Sequence, residues 1–328
     1  MTRLEVDDST VMITELADGI RTVEVQPRAD LFVPLRTCRT SYPVELIRLI
    51  LDVKGPAYLC DEISRDVNPA YVQRDLEADL LAYFTAEALA DKYILDFGCG
   101  SGASTMVLAR LFPGSQIVGV ELEESLLRVA RARLAHYGYS NVTLHLSPSG
   151  DELPDGLPPF NLVVLSAVYE HMLPLERRVL LPRIWSTIAT GGALFINMTP
   201  HRYFPIEHHT TGLPFLNYMP PSLALAVARR FSRRIDPTEP WETLLRRGIR
   251  GGTEQEILAI LRGQPGGARL MEPSQRGLAD RVDLWYSALS QARLRLVKKG
   301  LRAGLKVLRS LTGVTLVPNL SLAIRKVD

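Results

Sequence analysis

Between residues 93 and 197 the chain alternates short apolar runs with stretches of helical period, and few folds accept that pattern. The runs are Tyr93-Ile-Leu-Asp-Phe97, Gln116-Ile-Val-Gly-Val-Glu121, Asn141-Val-Thr-Leu-His-Leu146, Phe160-Asn-Leu-Val-Val-Leu-Ser166 and Ala193-Leu-Phe-Ile-Asn197. The fourth is almost continuously apolar, as a strand covered on both faces must be. Helical patterns lie between them: Ser104 to Leu111, a second through Leu126, Val129, Ala130, Leu134 and Tyr137, and a third from about Glu176 to Ala189 before Gly191-Gly192. Strands alternating with helices of this length make βαβ units, so the expected fold class is α/β, with a doubly wound, mainly parallel sheet.

The flanks are less regular. Val11-Met-Ile-Thr14 and Thr22-Val-Glu-Val25 suggest short strands, and Tyr42 to Val53 and Pro69 to Ala90 suggest helices. After Pro200 comes a loop rich in Pro and His up to Pro221, then helical stretches broken at Pro237, Pro240, Gly251-Gly252 and Pro265-Gly-Gly267, a long pattern from Asp283 to Leu311, and a strand-like end near 315–325. The expected organisation is an N-terminal extension over 1–90, a core over 91–200, a lid and basic helical insertion over 201–312, and a last strand over 313–328 that completes the core sheet.

Composition narrows the partners. With 46% hydrophobic residues in 328, the chain can bury a large core. No apolar run approaches the roughly 20 residues of a membrane span, and the first residues lack an apolar leader, so a cytoplasmic setting is expected. Cys38, Cys60 and Cys99 are odd in number and widely spaced, which excludes a disulfide framework. The net charge of +2 hides an asymmetry: residues 1–90 sum to −7, 91–200 to −2 and 201–328 to +11. A basic last third points to an anionic partner or to a solvated arginine-rich surface.

The chemistry is announced by Asp96-Phe-Gly98-Cys-Gly100-Ser-Gly102 at the first strand-to-helix turn. Glycines there let the backbone approach a ligand and aim amides at it from a helix N-terminus. The spacing G-x-G-x-G is not the dinucleotide fingerprint, and no Lys-Ser/Thr follows to cradle a phosphate. An acid ahead of the loop suits a cationic, amino-acid-bearing cofactor rather than a pyrophosphate.

At these residues the chain resembles the class I S-adenosylmethionine-dependent methyltransferases, whose first motif is an acid followed by G-x-G-x-G. The resemblance implies their Rossmann-like sheet, S-adenosyl-L-methionine as methyl donor, and a binding site containing Asp96, Gly98, Gly100 and Gly102. It implies that Glu121, closing the second strand, holds the ribose hydroxyls and that Leu122 lies against the adenine. The third motif departs from the family pattern: Ser149 stands where the adenine-binding acid is aligned, with Asp151 two places on. The fourth, Leu165-Ser-Ala-Val-Tyr-Glu170-His171, puts Ser166 at the cofactor and resembles the Glu-His of small-molecule methyltransferases. These motifs cover about residues 90–200 and the return strand near 315–326.

Methyl transfer from a sulfonium needs an oxygen placed in line and, for a hydroxyl, a base. His171, His201 and His208 fall just past the tips of the fourth and fifth strands, where ligands bind in open α/β sheets, and are the candidate catalytic residues. The aromatic loop from Thr199 to Pro221 resembles the acceptor cover of bacterial sugar and glycan methyltransferases. Glu207 with His208 or His201 is the pairing that could hold a metal, but no ligand motif supports it, so none is expected. His136 and His145 are expected to be structural. Leu294, Val297, Leu301, Leu305 and Leu308 form an apolar stripe beside Arg295, Lys298, Lys299, Arg302, Lys306 and Arg309. Such a helix over 294–309 can lie peripherally on an anionic membrane, at its inner face, or pack its apolar stripe on the core. No nucleic-acid motif is present.

The expected function is therefore O-methylation of a sugar or glycan, including a lipid-linked one. An aromatic or quinone-type small-molecule acceptor is the alternative, and a catalytically silent chain that keeps the fold is the rival from another class.

Overall fold

Side chains along the central strands point alternately into two apolar layers. Leu95, Phe97, Val163, Leu165, Leu194 and Ile196 pack into one layer with Trp185, and Ile94, Leu162, Val164 and Phe195 into the other with Met106 and Val107. The computed structural model describes every residue except 7–8, 29–30, 151 and 290–294, together with the side chain of residue 295.

The strands are β1 (Thr2–Val6), β2 (Ser9–Glu15), β3 (Arg21–Pro27), β4 (Thr37–Thr40), β5 (Tyr93–Phe97), β6 (Gln116–Glu121), β7 (Val142–Leu146), β8 (Phe160–Ser166), β9 (Ile188–Pro200), β10 (Ile206–Glu207), β11 (Leu213–Pro214), β12 (Gly267–Leu270) and β13 (Asn319–Val327). The main sheet has the order β12-β13-β9-β8-β5-β6-β7. From β7 to β9 all neighbours are parallel, whereas β13 runs antiparallel to β9 and β12 antiparallel to β13. This is the Rossmann-like sheet of the class I methyltransferase type. Strand order reverses between β5 and β8, and a cleft at their C-terminal ends follows from that reversal.

The helices are α1 (Val44–Val67), α2 (Arg74–Leu80), α3 (Ala103–Leu111), α4 (Glu124–Tyr137), α5 (Pro174–Thr187), α6 (Pro221–Phe231), α7 (Trp241–Arg246), α8 (Glu254–Leu261), α9 (Arg281–Ala288) and α10 (Arg295–Thr312). Gly102 caps α3 at φ 86°, and a Cβ there would stand 2.7 Å from the Cβ of Ala130 on α4. Glycine is required both for the left-handed turn and for the close approach of α4.

The N-terminal segment differs from its expectation. β1 to β4 form a separate antiparallel sheet, and α1 covers it through Ile47, Ile50, Leu51 and Ile63. Val129 of α4 enters the same cluster and ties this sheet to the core. The helix expected to end at Val53 bends there instead, with Gly55 at φ 73° before Pro56, and continues to Val67. That continuation carries Glu62 to the glycine loop. The single helix expected over Pro69–Ala90 is a π-turn at Pro69–Gln73, then α2, then a short 3-10 turn at Glu87–Leu89.

The direction of the basic stripe, open in the sequence, is set by its neighbours. The long pattern from Asp283 to Leu311 divides into α9 and α10, and Leu294 lies outside the described residues. On α10 it is the cations that face the protein: Arg302 and Lys306 pair with Asp283, and Arg309 with Glu272 and Asp280. The aliphatic side looks outward, with Leu296 84% and Leu311 79% exposed. Of the expected stripe Val297 and Leu301 are exposed and Leu305 and Leu308 half-buried, because the carboxylates hold the opposite, cationic face against the protein.

Candidate functional site

Two cavities flank the Gly98–Gly102 turn. The larger, about 640 Å³, is walled by Phe97, Glu121, Leu122, Ser147, Ser149 and Val168. The smaller, about 350 Å³, lies between the glycine loop, Ser166 and Asn197 on the sheet side and Lys54, Glu62 and Arg65 of α1. Gly98, Leu126, Ala167 and His171 belong to both walls, so the two spaces are halves of one cleft.

Backbone amides converge on Glu121 at the larger half. The Gly100 N–H donates to Glu121 Oε2 at 2.7 Å, and the Leu122 and Glu123 N–H groups donate to Oε1 at 2.8 and 3.0 Å. The carboxylate thus fixes the loop while edging a space large enough for a nucleoside. Leu122 is exposed beside it. Ser149 lines the same half, and Ser147 Oγ donates to the Ser149 carbonyl at 3.1 Å. Asp151, the other acid at this motif, lies outside the described residues.

Asp96 works from behind. It is buried, and its Oδ2 accepts the hydroxyls of Ser104 at 2.7 Å and Thr105 at 2.6 Å, clamping the loop to α3. Burial pushes its carboxyl up to about 6. Neither half of the cleft is walled by it. Cys99 is buried within the turn.

The three candidate histidines part company. His171 stands where the halves meet, and its Nδ1 lies 2.6 Å from the Arg246 carbonyl, an acceptor that requires the proton on Nδ1. Nε2 therefore keeps its lone pair in the neutral ring. His201 is buried, accepts the Tyr203 N–H on Nδ1 at 3.1 Å, and is pulled down to about 4 by burial. His208 pairs with Asn319 Oδ1 at 3.0 Å through Nε2. Neither His201 nor His208 lines the cleft, because β10 and β11 fold their loop back on itself. Glu207 is no metal partner for them. Its oxygens accept the amides of His209, Thr210 and Thr211 and the Thr211 hydroxyl, all within 3.1 Å.

Sequence reasoning missed the α1 wall. Arg133 of α4, fully buried, donates to the Glu62 carbonyl at 2.7 Å and carboxylate at 3.0 Å, and to the Ser101 carbonyl at 2.9 Å. Ser101 Oγ donates in turn to Glu62. Burial works to raise the Glu62 carboxyl, but Arg133 and Arg65 outweigh it and hold it below the ordinary value. Asp66 accepts the hydroxyls of Tyr42 at 2.5 Å and Tyr137 at 2.9 Å. The signal was two acids four residues apart beside Leu59 and Ile63 on a buried helix face.

Fold and cleft together define the class. Residues 95–194 match the family model described as a methyltransferase domain. This stretch is a methyltransferase domain of the class I S-adenosylmethionine-dependent type, for which S-adenosylmethionine is the methyl donor. Among curated relatives, a trans-aconitate 2-methyltransferase of Methylobacterium radiotolerans is 29% identical over 55% of this chain and 67% of its own length. Another of that name, from Variovorax paradoxus, is 26% identical over 59% of this chain and 60% of its own. The chain thus spans about 60–67% of these relatives. PKMT2 from Rickettsia typhi, solved with AdoHcy, aligns over 80% of this chain and 53% of its own at 14% identity and a TM-score of 0.45.

The residues present suit the cofactor: a glycine turn open to a ligand, a carboxylate beside a nucleoside-sized space, and a polar half beyond it. Glu121→Ala is expected to weaken cofactor binding by about 1.5–3 kcal/mol, roughly 10- to 150-fold in Kd, the scale of hydrogen bonds involving a charge. Calorimetric titration checks this, and an unchanged Kd removes Glu121 from the site.

Proposed function

We propose that the protein transfers the methyl group of S-adenosylmethionine to a hydroxyl of a small polar acceptor, of the sugar or glycan class. The observation that carries this reading is His171, with Nδ1 held by the Arg246 carbonyl and the ring at the junction of the two halves. A hydroxyl needs its proton removed as the methyl arrives, and an imidazole with a free Nε2 does that. The nucleoside occupies the half edged by Glu121, Leu122 and Ser149, and the acceptor enters the half walled by Lys54, Glu62 and Arg65. Cations and acids are interspersed there with Asn197 and Ser166, a lining that suits a neutral, hydroxyl-rich molecule.

The second reading is a carboxylate acceptor. Lys54 and Arg65 favour it, and it accords with the relatives named for trans-aconitate. The two separate by chemistry, because a carboxylate arrives deprotonated and needs no base. Labelled methyl transfer to nucleotide-sugars, lipid-linked glycans, phenols and trans-aconitate, with wild type and His171→Ala, tests both. Hydroxyl acceptors that depend on His171 support the proposal. Turnover of carboxylates alone, undiminished in His171→Ala, overturns it.

We infer also that the outward face of α10 meets an anionic membrane from the cytoplasmic side. Exposed Leu296, Val297, Leu301, Val307 and Leu311 share one arc of the helix, and a helix of this kind lies in the interface plane. No described helix is long and apolar enough to cross a membrane. Wild type is expected to sediment with phosphatidylserine-containing vesicles at low salt, and Leu301→Glu with Val307→Glu to abolish it. Wild type that stays in the supernatant overturns this contact.

A further inference from the structure

We propose that Glu170, His171 and His209 form a binding site for one divalent transition-metal ion at the acceptor end of the cleft. One ligand atom from each lies within 4.8 Å of the other two, the single such group of three among the described residues. Glu170 Oε1 is buried and accepts no hydrogen bond, although its side chain is wholly inaccessible. It points to His171, whose Nε2 is 3.8 Å away. A buried carboxylate oxygen with no hydrogen bond is costly to ionise unless a cation compensates it.

The surroundings hold each ligand for that purpose. Thr199 Oγ1 donates to Glu170 Oε2 at 2.7 Å and so presents Oε1. The Arg246 carbonyl at 2.6 Å takes the Nδ1 proton of His171 and turns the Nε2 lone pair inward. Such outer partners set the tautomer and ring direction of metal-bound histidines. His209 reaches the group from the β10–β11 loop, its ring centroid 5.7 Å from that of His171. Gly248 leaves the room they share: a Cβ there would stand 2.8 Å from His209 Cδ2 and 3.0 Å from Glu170 Cγ. Tetrahedral ligands at about 2.1 Å from an ion are about 3.4 Å apart, so binding draws the three slightly closer.

Two imidazoles and a carboxylate suit Zn²⁺, Co²⁺, Mn²⁺ or Fe²⁺ and leave coordination positions free. The inference rests on the proposed acceptor site. With the ion bound, Nε2 of His171 serves as a ligand, and the ion rather than the ring lowers the pKa of an acceptor hydroxyl placed against it. No metal was expected from the sequence, and Glu207, the acid weighed for one, has its oxygens spent on the amides and hydroxyl of its own loop, while Glu170 keeps one free.

The test is direct titration of the chelator-stripped protein with Co²⁺, followed by its visible d–d absorption and by competition with Zn²⁺. Saturation at one ion per chain is expected. His209→Ala and Glu170→Gln should each weaken it by more than the about 10- to 100-fold typical of losing an outer-shell partner, and His208→Ala should leave it unchanged. S-adenosylhomocysteine titration confirms that each variant is folded, and His209, exposed in a loop, provides a variant that keeps the core intact. No stoichiometric uptake, or uptake equal in wild type and His209→Ala, overturns the site. Because the readout is metal affinity, that failure leaves the His171-dependent methylation test untouched.

Discussion

Arg133→Met is expected to cost about 3–5 kcal/mol of stability, the typical result of removing one partner from a buried charge cluster. The guanidinium is fully buried and bridges three elements: α4, which carries it, α1 through Glu62, and the glycine turn through Ser101. Its Nε also lies 3.6 Å from Asp66 Oδ1, which accepts no hydrogen bond. Burial works against its charge, but Asp66, Tyr42 and Glu62 outweigh it and hold the guanidinium above its ordinary value. Methionine fills much of the volume and takes from Glu62 and Asp66 the one fully buried cation that both share. Adding Glu62→Gln and Asp66→Asn to Arg133→Met should recover part of the loss, because the neutral set no longer buries unpaired charge. Urea unfolding of the single and triple variants measures both effects. A single variant within about 1 kcal/mol of wild type would show that the network is solvated and does not hold α1 to the loop. Cofactor affinity should fall with the single variant, since Ser101 loses the groups that hold its carbonyl and hydroxyl.

That network also marks the limit of what the sequence disclosed. The five central strands were legible because burial on both faces leaves an unbroken apolar run, and the glycine turn because left-handed backbone at Gly98, Gly100 and Gly102 admits little else. β1 and β4 were missed because a short strand packed on one face alternates too few residues to stand out. The second half of α1 was hidden by Gly55-Pro56, a pair that usually ends a helix and here only bends it. Glu62 meets Ser101 across 39 residues of chain, and no local pattern encodes such a contact. The direction in which α10 faces was left open for the same reason: Asp280, Asp283 and Glu272, which decide it, lie outside the helix. Among the histidines, proximity to a strand tip selected three, and only the conformation of the β10–β11 loop separates His171 from His201 and His208.

His171→Ala is expected to depress turnover of a hydroxyl acceptor by about 10²- to 10⁴-fold, the usual contribution of a general base. Loss of a ligand to an activating ion has the same sign, so the expectation holds for either route of proton removal. Cofactor affinity should change only slightly: the amides and Glu121 that line the nucleoside half are independent of the ring, which touches that half at its edge. His201→Ala and His208→Ala serve as contrasts. The first empties a buried position whose Nδ1 accepts a backbone amide, so it should lower stability more than turnover. The second breaks a side-chain pair with Asn319 outside the cleft and should leave turnover near wild type. Single-turnover rates with saturating cofactor separate these cases, because product release no longer masks the chemical step. A His171→Ala enzyme with a normal single-turnover rate would leave positioning of the acceptor, or a carboxylate such as Glu170, to do the work. Glu170→Gln then decides between those two. It preserves the shape beside Thr199 while removing the charge, so a fast Gln variant assigns the rate to positioning alone, and a slow one assigns it to the carboxylate, as base or as ligand of the ion.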